Sequence, residues 1–215
     1  MNTTGITGVT PLTRFDELYR TSTPPWVIGE PQPAVIELES AGRIRGAVLD
    51  VGCGAGEHTV HLARLGYDVL GTDFSPAAVS LARANAGARG VDAHFEVLDA
   101  LRLPAAGRFG TVLDSALFHV FDDTDRREYV RSLAGACRRG GLVHVLALSD
   151  RGPGFGPRIS DTIIRTAFDE AWVIEEIKET IYRGVVTEQA DADTLDTTLG
   201  STVDLPAWLA RIRRR

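Results

Sequence analysis

The chain has little of several features that would each define a class of protein. Its 215 residues include only two cysteines, Cys53 and Cys137, whose spacing fits neither a disulfide framework nor a metal site. No apolar run approaches the length that spans a membrane, and the first residues lack the basic start and apolar segment of a signal peptide. We therefore expect a cytoplasmic protein that binds no metal and no membrane.

Positive charge is also scarce. The formal net charge is −6, whereas a domain that binds a nucleic acid usually presents a basic face. The one dense basic run lies at 211–215, and a charged run of this kind is usually a solvated tail. We therefore expect a small molecule rather than a nucleic acid as the partner. The sequence leaves the oligomeric state open.

What the sequence does contain is a regular alternation of apolar strands and helices. Strands are predicted at 47–51, 68–73, 93–98, 111–115 and 141–149, with helices at 57–65, 76–86 and 124–137 between them. Alternation of this kind is typical of a parallel sheet with helices on both faces, which predicts one doubly wound α/β domain. Residues 1–12 carry no periodicity and are expected to be disordered.

The most informative stretch is VLDVGCGAGE over 48–57, an apolar strand that runs into a glycine-rich turn. Glycines there let the backbone turn tightly and approach a ligand closely. A dinucleotide-binding turn, G-x-G-x-x-G, would need a small residue at position 57, which is Glu57. This carboxylate disfavours an NAD-dependent oxidoreductase, and the sequence shows no catalytic Tyr-x-x-x-Lys or cysteine-based constellation for one. Asp50 and Glu57 instead suit a ligand with an ammonium or sulfonium group.

Four successive predicted strands each end in an aspartate, at positions 50, 73, 99 and 114. Ligands of open α/β sheets bind outside the carboxyl ends of the strands, so these acids are expected to converge on one crevice. A single strand-end aspartate is more often a helix cap or turn former, but four beside a glycine loop favour a site. Asp73 would then accept hydrogen bonds from ribose hydroxyls, and Asp99 would accept an adenine amino proton.

With these motifs the chain resembles the class I S-adenosylmethionine-dependent methyltransferases, from about Pro24 to about Arg183. The resemblance rests on VLDVGCGAGEHT, VLGTDFS, FEVLDALRLP, the DSALFH segment and the GG turn before HVLALSD. The segment PPWVIGEPQPAV is similar to PPW-x-x-G-x-PQP of a narrower bacterial group, the thiopurine-methyltransferase-like, benzoquinone and heterocyclic-toxin methyltransferases.

This resemblance implies S-adenosyl-L-methionine as the cofactor and a Rossmann-like, mostly parallel seven-stranded sheet with a C-terminal antiparallel hairpin. It implies a methyltransferase domain over 13–215 that includes an N-terminal lid over 13–46. Taken with the chemistry of the strand ends, it predicts a set of cofactor-binding residues: Trp26, Gln32, Asp50, Gly52, Cys53, Gly54, Asp73, Phe74, Asp99, Ala100, Leu101, Asp114 and Ser115. Within this set, Phe74, Ala100 and Leu101 would contact the adenine ring.

The acceptor site is predicted from aromatic residues in the segments that border the crevice. Methyl transfer from a sulfonium mainly requires alignment of the reacting atoms and exclusion of water. The predicted acceptor-binding residues are Phe15, Tyr19, Phe118, His119 and Phe155. Each aromatic residue alone fits a core role equally well, but their clustering favours a flat aromatic acceptor.

His119 is the predicted general base, with Asp114 as the other catalytic residue, because a reference pKa of about 6.5 suits removal of a phenol or enol proton. Two alternatives stay open. The histidine could simply pack or cap in its loop, and an acidic heteroaromatic hydroxyl or thiol would be ionised without a base.

The leading hypothesis is therefore a methyltransferase that acts on O, N or S of a small aromatic or heterocyclic acceptor such as a phenol, quinolone or quinone, with a role in detoxification. A thiol or tellurite-type chalcogen acceptor is an alternative. A cofactor-binding module without turnover is another. The sequence alone does not name the acceptor atom.

Overall fold

Seven strands form one sheet in the part of the chain that the computed structural model describes, residues 12–168 and 170–215. The strands are β1 (Val48–Val51), β2 (Val69–Asp73), β3 (His94–Val97), β4 (Phe109–Ser115), β5 (Cys137–Leu148), β6 (Trp172–Val185) and β7 (Thr202–Arg214). The helices are α1 (Leu12–Thr21), α2 (Pro33–Ser40), α3 (Glu57–Arg64), α4 (Pro76–Ala88), α5 (Asp123–Ala136), α6 (Asp161–Ala167) and α7 (Gln189–Thr194). The disorder expected for residues 1–12 falls outside the described residues, except that Leu12 begins α1.

The sheet has the order β3-β2-β1-β4-β5-β7-β6, and β7 is antiparallel to both of its neighbours. The fold is thus a single α/β domain with a mostly parallel sheet and a C-terminal antiparallel hairpin, as predicted. All four residues of β1 are buried, which explains why this strand is a continuous apolar run apart from Asp50. The strand order reverses between β1 and β4, where open α/β sheets leave a crevice for a ligand.

The register of β1 decides which strand ends meet at this crevice. Val51 pairs with Thr72 of β2 on one side and with Asp114 of β4 on the other. Asp73 follows Thr72 directly, so the carboxylates that end β2 and β4 flank the turn after β1. The convergence of strand ends expected from the sequence is therefore present for these three strands.

The basic run at 211–215, expected to be a solvated tail, lies instead almost wholly in β7. Arg211 Nε is 2.9 Å from Glu175 Oε2 and its Nη1 is 3.1 Å from Glu176 Oε2 of β6. Arg213 Nη2 is 3.1 Å from Glu175 Oε1. The prediction was wrong because the basic residues belong to a strand whose partner supplies the opposite charge, a cross-strand pairing.

Apolar residues cover both faces of the sheet. On one face Leu133 and Tyr129 of α5 pack with Phe118, Phe168 and other buried residues. On the other face α2 contributes to a second buried cluster with β6 and β7. No helix among the described residues is long and apolar enough to cross a membrane.

We expect Leu133→Ala to destabilise the fold strongly. Leu133 is 0% exposed, and removing such a side chain typically costs about 2–5 kcal/mol because a cavity is left behind. Urea unfolding followed by circular dichroism would measure the free energy of unfolding. Leu199→Ala, the same change at a residue 54% exposed, is the control and should alter it by no more than about 0.5 kcal/mol. Equal effects of the two variants would place Leu133 outside the core.

Candidate active site

The backbone of the turn after β1, around Gly52 and Gly54, forms a surface that we call the cradle. Gly52 and Gly54 have left-handed φ values of +70° and +53°, which glycine adopts at little cost. A Cβ at Gly54 would lie 2.5 Å from the Tyr19 hydroxyl oxygen, and a Cβ at Gly52 would lie 3.0 Å from Leu117 Cδ2. Because these glycines have no side chain, α1 and the loop after β4 lie directly against the turn. A ligand held by the turn would lie on this same side.

Asp73 is joined to this cradle. Its Oδ2 accepts a hydrogen bond from the Gly54 N–H at 2.9 Å and its Oδ1 accepts one from the Ser75 N–H at 2.9 Å. Burial raises the pKa of this carboxyl, while the two backbone donors lower it. Each oxygen keeps a further lone pair, so the carboxylate can also accept hydrogen bonds from ligand hydroxyls, as predicted for the ribose.

Asp50 lies behind the cradle rather than in it. Its Oδ2 accepts a hydrogen bond from Thr59 Oγ1 at 2.6 Å, and its Oδ1 is 3.8 Å from His58 Nδ1. His58 Nε2 in turn accepts the backbone N–H of Gln32 at 3.2 Å. Burial lowers the pKa of His58, but the neighbouring carboxylates, Asp50 first and then Glu57, outweigh it and leave the pKa raised. His58 thus links Asp50 to the N-terminal segment, a role that the sequence analysis missed.

The residues predicted around an adenine ring gather at the end of β2. The Leu98 N–H donates to the Asp73 carbonyl at 3.0 Å, which brings the segment after β3 alongside Asp73. Asp99 begins a short 3₁₀ turn over Ala100–Arg102, and its Oδ1 accepts the Leu101 N–H at 2.9 Å. Phe74 remains 43% exposed on the same rim and is free to lie against a flat ring.

Asp114 is a structural carboxylate. Its Oδ1 accepts the N–H groups of Leu117 and Phe118, both at 3.1 Å, and its Oδ2 accepts the Tyr129 hydroxyl at 2.7 Å. Burial raises its pKa to about 6. We therefore correct the catalytic and cofactor-binding roles predicted for Asp114. Oδ1 holds the turn after β4, the more common use of a strand-end aspartate, and Oδ2 bonds Tyr129 of α5.

Ser115 and Ala116 carry the unusual features at the end of β4. The Ser115 hydroxyl is buried and has no hydrogen-bond partner among the described residues. Ala116 adopts a left-handed φ of +67°, which is strained for a residue with a Cβ. A buried hydroxyl without a partner is costly, so Ser115 is well suited to bond a polar atom of a ligand at this strand end.

His119 does not have the contacts of a general base. It is buried, and its Nδ1 accepts the Leu148 N–H at 3.1 Å, so the neutral ring carries its proton on Nε2. Burial, and then the charge of Arg126, lowers its pKa to about 4. We therefore correct the base role predicted for His119, because its one basic nitrogen already accepts a hydrogen bond. The alternative of a histidine that packs in its loop fits these contacts.

Three aromatic side chains of the N-terminal segment form a cluster, and one of them, Tyr19, lies over the cradle. Trp26 Nε1 donates a hydrogen bond to the Tyr19 hydroxyl at 2.6 Å. The ring centroid of Trp26 is 5.6 Å from that of Phe15 and 6.2 Å from that of Tyr19. Tyr19 lies where a lid over the glycine loop would lie. The roles predicted for Trp26 in binding the cofactor and for Phe15 and Tyr19 in binding an acceptor stay predictions.

Phe118 and Phe155 lie in the core rather than at an acceptor site. Phe118 is 0% exposed and stacks on Phe168 with centroids 5.9 Å apart. Phe155 packs so closely on β6 that a Cβ at Gly184 would lie 2.5 Å from its Cζ. Their predicted roles are corrected on this ground, since a large apolar side chain in a segment near the crevice fits core packing equally well.

The side chains of Gln32 and Cys53 are both buried, and their roles in binding the cofactor stay predictions. Gln32 Nε2 donates to the Arg183 carbonyl at 2.7 Å, and its Oε1 accepts the Arg183 N–H at 2.8 Å. The amide therefore attaches the N-terminal segment to β6. The Cys53 side chain is buried in the cluster between α3 and α4, and burial raises its thiol pKa.

Comparison with known proteins agrees with this architecture. A family model described as a methyltransferase domain matches residues 48–141, from β1 into β5. The chain is 35% identical over 160 residues to the 2-heptyl-1-hydroxyquinolin-4(1H)-one methyltransferase of Mycobacteroides abscessus, across 72% of this chain and 70% of that protein. The chain therefore belongs to the class I S-adenosylmethionine-dependent methyltransferases, and its cofactor is S-adenosyl-L-methionine. The narrower resemblance to the thiopurine-methyltransferase-like group stays a prediction.

Two solved structures extend the comparison. One, from work on the conversion of a disulfide bond into a thioacetal group during echinomycin biosynthesis, has a TM-score of 0.84 and 43% identity, and covers 94% of this chain and 92% of that chain. The N-methyltransferase NodS from Bradyrhizobium japonicum, solved with S-adenosyl-L-homocysteine, has a TM-score of 0.68 and 19% identity, covers 95% of this chain and 99% of that chain, and shows a shared fold.

The cradle generates a prediction about Gly54. Gly54→Ala should weaken binding of S-adenosyl-L-homocysteine by about tenfold or more, because the new methyl group would fill the space above the loop. Isothermal titration calorimetry measures this. The control is Gly107→Ala, which carries the same kind of strain at φ +56° but meets nothing within 4 Å. Equal affinities in the two variants would show that the loop does not approach the cofactor.

The buried His119 generates a prediction about acid stability. The unfolded chain takes up a proton near pH 6.5, whereas the native ring stays neutral down to about pH 4. Stability from this group is therefore present above pH 6.5 and lost as the pH falls, by about 3 kcal/mol in all. In His119→Asn this loss should disappear, so urea unfolding at several pH values should give it a flatter profile. His94→Asn, at an exposed position of β3, should keep the wild-type profile.

Proposed function

We propose that this methyltransferase transfers the methyl group to an O, N or S atom of a small aromatic or heterocyclic acceptor. The observation that carries the proposal is the aromatic cluster of Phe15, Tyr19 and Trp26, in which the Tyr19 hydroxyl lies over Gly54 of the glycine loop. Flat aromatic side chains that border the cofactor site would favour a flat acceptor. The named activity of the Mycobacteroides relative, on a hydroxyquinolone, supports the same class.

The chain's own residues would act mainly by positioning. S-adenosyl-L-methionine supplies the electrophilic methyl group. Asp73 and the turn at Gly52 and Gly54 would hold the cofactor, with the Ser115 hydroxyl as a further partner. The aromatic cluster would exclude water and orient the acceptor. Alignment of reactants of this kind can supply roughly 7–11 kcal/mol of the barrier reduction.

The contacts of Asp114 and His119 restrict the acceptors further. Asp114 accepts hydrogen bonds on both oxygens, and the basic nitrogen of His119 accepts the Leu148 N–H. An acceptor that is already ionised near neutral pH, or one with a free sulfur lone pair, reacts without a protein base. We therefore favour acidic heteroaromatic hydroxyls and soft sulfur over ordinary phenols. A cytoplasmic role in modifying toxic heterocycles belongs to the same proposal.

A sulfur acceptor is the second candidate. It is favoured by the 43% identical structure from work on a disulfide-to-thioacetal conversion, because that likeness extends over nearly the whole chain. A sulfur in a disulfide has no proton to lose, which agrees with the absence of a free base at Asp114 and His119.

A panel of acceptors would test the proposal. The enzyme, S-adenosyl-L-methionine and each acceptor would be incubated and the products analysed by mass spectrometry, with N-hydroxyquinolones, phenols, thiols, cyclic disulfides and tellurite as members. We expect methyl transfer to the acidic heterocycles or the sulfur compounds, and little to phenols with a pKa near 10. Binding of S-adenosyl-L-homocysteine without any methylated product would instead favour a cofactor-binding module.

The same assay separates the base hypothesis from the proposal. With an acceptor that stays protonated at the assay pH but is still methylated at a measurable rate, His119→Asn should keep kcat within a few-fold of the wild type, since the basic nitrogen of His119 already accepts the Leu148 N–H. If kcat falls a hundredfold or more, as is typical on loss of a general base, while the acceptor KM and the circular dichroism spectrum are unchanged, His119 acts as a base after all.

A further inference from the structure

The N-terminal segment is attached to the body of the domain in two different ways. The stretch 24–32, which we call the strap, is held by backbone bonds to β6 and by other partners. The Val185 N–H donates to the Pro25 carbonyl at 2.8 Å, and the Gln32 amide is paired with the Arg183 backbone. The Gly29 N–H donates to Glu57 Oε1 at 3.0 Å. The strap is therefore fixed at both ends.

Helix α1 is held differently. Among the described residues, the hydrogen bonds that join α1 to α4 all end on one side chain, Asp16, and one further bond joins α1 to the strap, from Trp26 Nε1 to the Tyr19 hydroxyl. Its Oδ1 accepts the Ser75 hydroxyl at 2.6 Å and the Ala77 N–H at 3.2 Å, at the start of α4. Its Oδ2 accepts Arg20 Nε, one turn along α1, at 2.6 Å. These hydrogen bonds, with that of Ser75 first, lower the pKa of Asp16 to about 2, so it is charged at neutral pH.

What Asp16 holds in place is the inner face of α1. Tyr19 follows Asp16 by three residues and Phe15 precedes it, so all three project from neighbouring positions of the helix. With Asp16 bound to α4, the Tyr19 hydroxyl lies over Gly54, in contact with the space where a Cβ would stand. When Asp16 is bound to α4, helix α1 therefore covers the cradle and presents the rings of Phe15 and Tyr19.

We propose that Asp16 is a positioning residue, a latch that holds α1 over the glycine loop while the strap stays fixed. Residues 22–23, between the end of α1 and Pro24, are then the hinge. The cofactor reaches the cradle when Asp16 releases Ser75, and Tyr19 releases Trp26 and leaves Gly54. Relatching returns Phe15 and Tyr19 to the acceptor side. This inference rests on the proposed place of the cofactor at Gly54 and Asp73.

Stopped-flow binding of S-adenosyl-L-homocysteine tests the latch. Asp16→Ala should speed both association and dissociation by about two- to tenfold, the range that loss of one net hydrogen bond corresponds to. Trp26 fluorescence reports the binding, in a chain whose Trp172 and Trp208 are replaced by Phe. Asp16→Asn keeps an oxygen that can accept from Ser75 and Ala77, so it should restore rates close to those of the wild type.

The matched control is Arg20→Ala, which removes the ion pair within α1 and leaves the bonds to α4 intact. It should leave both rates unchanged. Association rates in Asp16→Ala that equal or fall below those of the wild type, or an Arg20→Ala variant as fast as Asp16→Ala, would overturn the latch. If the wild-type chain does not bind the ligand at all, the proposed cofactor site fails instead.

Hydrogen exchange on the wild-type chain keeps the proposal testable even if Asp16→Ala does not fold. A latched helix that opens should exchange its amides faster than α2, which follows the strap, and should become protected when S-adenosyl-L-homocysteine is bound. Equal exchange in α1 and α2, without any effect of the ligand, would show that α1 does not open.

Discussion

The hydrogen bond from the Gly54 amide to the Asp73 carboxylate is the interaction on which the rest of the site depends. It joins the turn after β1 to the end of β2, although the two residues are 19 positions apart in the chain. The left-handed backbone at Gly54 directs this N–H toward Asp73, and the missing side chain leaves room for the Tyr19 hydroxyl on the turn. The second oxygen of Asp73 binds the Ser75 amide, and Ser75 begins α4 and binds Asp16. One carboxylate thus sets the positions of the loop, a helix and the segment that covers them.

The opposite side of the crevice shows how similar residues can have different roles. Asp73 and Asp114 both lie at the ends of parallel strands beside β1, yet Asp73 is half-buried and bonded to two backbone amides, whereas Asp114 is fully buried and bonded to both the turn after β4 and Tyr129. The difference arises from Tyr129, whose buried hydroxyl reaches Asp114 from α5. A strained Ala116 follows, and the free Ser115 hydroxyl becomes the polar group of that strand end. The contacts of these residues therefore fit groups that hold other groups in place rather than groups that transfer protons.

The sequence predicted well those helices and strands whose ends are marked by residues nearby in the chain. From β1 to α4 each element is short and bounded by glycine, aspartate or a Ser-Pro start, so pattern and cap agree; the Ala78 N–H indeed bonds to Ser75 Oγ at the start of α4. It predicted β5 to begin at position 141, whereas the strand begins at Cys137, because an irregular register with β4 lets it continue. Partners distant in the chain were not predictable. Nothing near Gln32, His58 or Asp114 in the sequence indicates the groups that they bond.

The place of β7 has a consequence for how the domain is assembled. This strand follows β6 in the chain but lies between β5 and β6 in the sheet, so β6 reaches the other strands only through it. During synthesis β6 therefore has no strand to pair with until β7 has left the ribosome, and until then the apolar residues of β6 stay exposed to solvent. The two strands must pair with each other first or dock in turn on β5, which makes the long polar connection between them part of the folding route. Slow or incomplete translation of β7 would leave a five-stranded parallel sheet with an open edge at β5.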